Sequence, residues 1–178
     1  MTPSSLPLAA ARRRAAGVTL IELMVVLSVM AILMAVATPD LISTSVMQRS
    51  KSRSEELQAA LRLARSEAVK RNAQVTVCAS ANGTDCNAED WANGWIVLAG
   101  TTVVQHWPAS RQAIGITEAS GLTSLNFTGS GTAGQSATFV LCSTSTPQWA
   151  GYQISQALAG SSRLSRRTGS CEAETPSS

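Results

Sequence analysis

The sequence predicts an α+β fold, one long N-terminal α-helix packed on antiparallel β-sheet. Three observations predict it. Residues 18–38 are apolar apart from Glu22 and a few small polar side chains. Further on, Leu57, Leu61, Ala64 and Ala68 recur at spacings of 4, 3 and 4, the period of one helix face. From residue 74 the pattern changes to short alternating apolar runs separated by Gly- and Asn-containing turns, the signature of strands.

The first element opens with Arg12, Arg13 and Arg14, then Gly17, then the apolar run ending at Pro39. As a helix, residues 18–38 would extend about 31 Å, close to the hydrocarbon thickness of a bilayer. The arginines ahead of it would hold the N-terminus in the cytoplasm and leave the rest of the chain outside. A secretory signal peptide cut after Ala37, at Ala35-Val36-Ala37, is the competing reading. The run is long for such a peptide, and it carries Glu22. An acidic side chain at the centre of a membrane helix costs up to about 2.5–3.5 kcal/mol, from which a discarded peptide gains nothing. Pro39 removes an amide donor and is expected to kink or loosen the helix.

Residues 39–72 continue the helix as an amphipathic half, with the apolar stripe expected to lie on a sheet. Arg49, Lys51, Arg53, Arg62, Arg65, Lys70 and Arg71 fall on other faces, with Glu55, Glu56 and Glu67 between them. They are expected to form a solvated face with salt-bridge partners; contact with neighbouring subunits or an anionic ligand is the alternative. Asn72 ends the helix.

Residues 73–178 form the β-rich part. Strands are expected at 74–78, 94–99, 103–107, 114–117, 122–128, 137–142 and 152–155, with a hairpin turn at Gly100-Thr101. Residues 81–92, containing Asn82-Gly83, read as a loop. Residues 129–134 form a Gly-rich turn that lacks the Gly-Lys-Ser/Thr of a phosphate loop. The four tryptophans are read as structural, with Trp95 in the core and Trp91 capping the loop against the helix.

The cysteines are Cys78, Cys86, Cys142 and Cys171. An even count behind an export signal favours disulfides, and four cysteines allow three pairings. Cys78–Cys86 and Cys142–Cys171 are expected, because each pair is close in sequence. Zinc is disfavoured: no Cys-x-x-Cys occurs and His106 is the sole histidine. No cofactor is expected. No catalytic constellation is found either, and the chain reads as a non-enzyme. Gly129-Ser130-Gly131 lacks the nucleophile-elbow spacing, and Glu89 and Asp90 sit adjacent in a solvated loop. The net charge of +3 equals the three leader arginines; without them, eleven basic side chains face eleven acidic ones. Only a local cluster bears on nucleic acid, and the C-terminal region holds one: Arg163, Arg166 and Arg167.

Gly17-Val18-Thr19-Leu20-Ile21-Glu22-Leu23 resembles the class III signal of type IV pilins and of the pseudopilins of type II secretion. The resemblance implies a prepilin leader over residues 1–17, cut after Gly17 by a prepilin peptidase that methylates the new amine of Val18. Phe is usual where Val18 stands. Glu22 and Pro39 then take the fifth and twenty-second mature positions. A carboxylate in lipid needs a partner, and the Val18 amine of a neighbouring subunit would supply it and set the axial register.

Residues 63–72, then Val75-Thr76-Val77-Cys78, then Trp91-Ala92-Asn93-Gly94-Trp95-Ile96-Val97, resemble the FimT/FimU minor pilins, which share their globular fold with the GspH pseudopilin. The cysteines of the first strand and loop lean toward the pilus branch. The implied function is a minor type IV pilin that helps to start or cap the pilus. Its implied partners are other minor and major pilins, and it would reside in the inner membrane before assembly and in the fibre afterwards. A GspH-like pseudopilin is the alternative within the same machinery. A DNA-receptor pilin is the alternative of another class, because some FimT-like pilins bind DNA through a basic C-terminal stretch. Here that stretch would be Arg163, Arg166 and Arg167. They precede Gly169 rather than following the family's Gly-Arg-x-Arg form, and Glu172 and Glu174 lie nearby.

Overall fold

The structure is a computed structural model that describes residues 17–111, 114–144 and 151–167; the side chains of residues 35–43 fall outside that description. The chain divides at Asp40/Leu41 into two units. Helix α1, Leu20–Arg71, begins in the first and ends in the second. It continues through Pro39.

In the first unit Thr19 stands at the N-cap, accepting the Glu22 amide on both its hydroxyl (3.3 Å) and its carbonyl (3.1 Å). At the other end α1 closes on Asn72, whose φ of 48° is left-handed. The Asn72 amide bonds Val69 O and the Ala73 amide bonds Ala68 O, each at 3.2 Å. This pair of bonds is the Schellman arrangement, which satisfies two of the last helical carbonyls. Asn is among the few non-glycine residues that tolerate that conformation.

Among the described residues of the second unit, eight strands form two antiparallel four-stranded sheets. The first sheet has the order β3-β2-β1-β5, from β3 Thr102–Pro108, β2 Gly94–Ala99, β1 Val75–Ala79 and β5 Ser124–Phe127. The second has the order β4-β6-β7-β8, from β4 Ile114–Glu118, β6 Ala137–Ser143, β7 Tyr152–Gln156 and β8 Ser162–Arg166. The expected strands are all present, and β8 is an additional one. A short 3-10 turn, Trp91–Asn93, leads into β2, capped by the Asp90 carboxylate on the Ala92 amide at 2.8 Å.

One core joins the helix stripe to the inner faces of both sheets. Leu57, Leu61, Ala64 and Ala68 are all buried, as the sequence period requires, against Val75, Val77, Val97, Leu125, Phe127, Phe139, Leu141 and Ile154. Trp95 is fully buried in this core. Trp91 is buried too; its ring meets Phe139 edge-on, with centroids 5.0 Å apart, and its indole N–H donates to Leu122 O at 2.7 Å. Trp149 lies outside the described residues.

One expectation for the helix surface is corrected. Arg53 does not belong to the solvated face: it is buried. The ion pairs expected on that face do form, as Lys51–Glu55, Lys70–Glu67 and Arg71–Glu67. A second buried charge was not anticipated. The Glu118 carboxylate accepts the amides of Ser120 and Leu122, both at 2.8 Å, and of Thr138 at 3.1 Å. It thereby holds the turn between β4 and β5 to the start of β6.

Candidate functional site

The N-terminal segment is the first candidate. Gly17, Val18 and Thr19 precede the helix and are exposed. Glu22 lies in the first helical turn, where a carboxylate favours the positive end of the backbone dipole. From Val18 to Met34, thirteen large apolar side chains are exposed by 50% to 76%. Each would gain roughly 1.5–3 kcal/mol by full burial, so this surface is unsuited to water and suited to lipid or to like helices. Among the described residues no helix is long and apolar enough to cross a membrane. The side chains described stop at Met34, fifteen residues into α1, against about 20 needed to span. The sequence continues apolar through Ala35-Val36-Ala37.

The loop after β1 is the second candidate. Cys78 and Cys86 form a disulfide with Cα atoms 5.5 Å apart, as the sequence spacing suggested. The loop folds over the outer face of the first sheet, where Cys78 pairs with Ile96 and Ile96 with His106. A Cβ on Gly83 would lie 2.7 Å from the ring of His106, so the loop stands against the sole histidine, which remains exposed. Cys142 is also disulfide-bonded. Cys171, its expected partner, lies outside the described residues.

The arginine cluster is the third. Arg163 and Arg166 belong to β8, and Arg167 follows it. Side chains alternate along a strand, so three arginines close in sequence do not share a face. Arg163 is exposed and stands opposite Ser155. Arg167 falls on the same side, about 13 Å farther along, with its guanidinium 3.4 Å from Gln153 Oε1. Arg166 turns the other way and reaches Met47 Sδ on α1 at 3.4 Å. The structure brings Arg163 and Arg167 to one side and separates Arg166. Glu172 and Glu174 lie outside the described residues. Among the described residues no group of His, Cys, Asp and Glu could hold a metal ion.

An apolar-surfaced helical segment in the first unit and a helix laid on two antiparallel sheets in the second are the parts of a pilin-like subunit. The comparisons with known proteins are more specific. The family "Type II transport protein GspH" matches residues 53–162, and the prokaryotic N-terminal methylation motif matches residues 12–38. The chain belongs to the GspH family, as a type IV pilin-like protein of the FimT/FimU kind. Among solved structures it is similar to the type IV minor pilin FimU of Pseudomonas aeruginosa in two crystal forms. One match has 26% identity, covers 70% of this chain and 96% of that one, and has a TM-score of 0.57. The other has 26% identity, covers 68% and 99%, and has a TM-score of 0.56. The minor pseudopilin EpsH of Vibrio cholerae is more distant, at 13% identity, 65% and 95% coverage and a TM-score of 0.46. No curated protein sequence matches the chain.

Proposed function

We propose that this chain is a minor type IV pilin, a non-catalytic subunit that helps to start or cap the fibre. The observation that carries the reading is the coincidence of the methylation motif over residues 12–38 with a globular domain similar to FimU across nearly all of the solved FimU chain. In this reading a prepilin peptidase cuts after Gly17 and methylates Val18. Residues 18–38 hold the chain in the inner membrane, with the globular part on the periplasmic side, until it is extracted into the fibre. Pro39 loosens the helix where the membrane half gives way to the amphipathic half.

Glu22 takes the central role. A carboxylate among apolar helices costs free energy unless it is paired. The ammonium created at Val18 of an adjacent subunit is a partner of the right charge at the right depth, and pairing occurs in only one axial register. The test is the mature N-terminus by mass spectrometry together with fibre incorporation of Glu22→Ala. Methylated Val18 and loss of incorporation are expected. A start at Thr38, or undiminished incorporation of the variant, overturns the reading.

Two further roles compete. The GspH family match is equally compatible with a minor pseudopilin of a secretion system. Loss of pili on deleting the protein favours the pilus, and loss of secretion with pili intact favours the pseudopilus. A DNA-contact role would rest on Arg163 and Arg167, which share a side of β8, with Arg166 turned away toward Met47. Such contact would be to phosphates, and salt would weaken it steeply. It predicts that Arg163→Ala with Arg167→Ala lowers DNA retention and transformation while pili persist, and that Arg166→Ala alone does neither.

A further inference from the structure

Folding of the second unit gathers arginines from three places in the chain around the turns by which α1 enters it. Arg49 lies on α1 and lines a groove of about 570 Å³ together with Trp107, Pro108 and Ala109 at the end of β3. Arg111 follows Ala109 by two residues. Arg166, at the end of β8, reaches Met47 Sδ at 3.4 Å. Two residues are about 200° of helical rotation, so Arg166 meets α1 on the side opposite Arg49.

The charge of this collar is uncompensated. Arg49, Arg111 and Arg166 are exposed, and none has an ion pair among the described residues. The thioether that Arg166 meets is only a weak acceptor. Glu56, the acid of the groove, is engaged by Arg53, and Glu55 by Lys51. Asp85 lies in the loop over the outer face of the first sheet, and Glu89 and Asp90 border β4; none of the three lines the groove. Trp107 is half-buried beside the arginines. Arginine with tryptophan is the composition that settles at a membrane surface.

We propose that this collar rests on anionic phospholipid headgroups of the membrane that holds the chain before assembly, with Arg49, Arg111 and Arg166 meeting phosphate oxygens and Trp107 at their level. The inference rests on the reading that residues 18–38 lie in the bilayer. Chain linkage then brings the two together. Arg49 follows Thr38 by eleven positions, about 17 Å of helix. The headgroup layer extends about 5–7 Å beyond the hydrocarbon, and the field of its anions reaches about 8 Å further at physiological salt. Each basic side chain near such a surface strengthens the attraction about fivefold. The contact keeps the globular part down while the chain waits, and extraction into a fibre breaks it. It requires nothing of the subunits that later stand alongside.

The experiment uses the full-length chain in vesicles, with photoreactive benzoylphenylalanine replacing Ala109. Vesicles are made of phosphatidylcholine alone or with one-third phosphatidylglycerol, and lipid adducts are read by mass spectrometry. An alkaline wash first shows whether the chain is embedded. A chain that washes off sinks the anchor reading itself, whereas an embedded chain without adducts sinks only the collar. Adducts at position 109 should be more than about tenfold commoner with phosphatidylglycerol and should fade as salt is raised. The same label replacing Ser130 should give none, because that turn lies beside Arg65, sixteen positions farther along α1. Arg49→Glu with Arg111→Glu and Arg166→Glu abolishes the adducts, and the three arginines changed to Lys retain them. Denaturation midpoints check the fold, and the triple change to Gln replaces any charge reversal that lowers them. Overturning results are equal adducts in the two vesicles or at the two positions, adducts that survive loss of the three charges, or loss to inorganic phosphate at an ionic strength where chloride leaves them, which marks a site for the free anion.

Discussion

The guanidinium of Arg53 lies over the indole of Trp95, its Cζ 3.9 Å from the ring centroid. Trp95 in turn stacks on Trp107 at 6.4 Å, with ring planes 23° apart. One Arg53 N–H group donates to Pro108 O at 2.7 Å and another to Glu56 at 2.8 Å. A single side chain thus ties α1 to β2 and to the end of β3. A desolvated cation–π contact contributes about 2 kcal/mol or more. Arg53→Ala is expected to lower stability by about 2–3 kcal/mol, read from the denaturant midpoint by tryptophan fluorescence. Arg53→Met should lose less than Arg53→Ala does. It keeps the volume, removes an Nε that has no partner, and leaves a Glu56 that is already half in water.

Glu67 supplies a pH dependence. Its hydrogen bonds to Arg71 and then to Lys70 hold its carboxyl below the usual value of 4.5. A carboxylate whose pKa is lowered by folding contributes stability that is complete above the unfolded value. That contribution is lost as pH falls through the lower, folded value. Wild type should therefore exceed Glu67→Gln at pH 7 and converge with it under acid conditions, in midpoints measured across the range. Curves that run parallel throughout would contradict this.

The Cys78–Cys86 bridge closes a short loop. By the chain-entropy relation, removing it as Cys78→Ser with Cys86→Ser costs about 2.5 kcal/mol. The loop should also lift from the outer face of the first sheet. Faster hydrogen exchange at Ile96 and His106 would report that lift separately from the global loss.

At Asn72 the backbone is left-handed, and a β-branched residue is strained there. Asn72→Val should lower stability by about 1–2 kcal/mol, whereas Asn72→Gly should be close to neutral. Equal midpoints for the two variants would show that the Schellman turn rearranges without cost.

The helix and its stripe were legible because the signal is local: Leu57, Leu61, Ala64 and Ala68 face inward simply through the 3.6-residue period. Cys78–Cys86 was legible because the two cysteines are only eight positions apart. Most strands were visible by alternation, but their allocation to two sheets was not. β1 lies between β2 and β5, and the pairing of Val75 with Phe127 is set by burial across more than fifty residues. β8 escaped because Ser-Arg-Leu-Ser-Arg has only one apolar residue, and its side chains are exposed or half-buried at the sheet edge. The arginines there read as one cluster in sequence, and only the strand pleat divides them. Arg53 read as solvated because nothing local announces that Trp95, forty-two positions on, will lie beneath it.

The thirteen uncovered side chains from Val18 to Met34 have an energetic corollary. Acyl chains and leucines are about equally oily, so leaving a bilayer to stand among sister helices changes little for these groups. In the proposed role, the traffic between store and filament is then nearly cost-free for the grease itself. Its direction must be decided by the few polar atoms that travel with it, and Glu22 is the charged one.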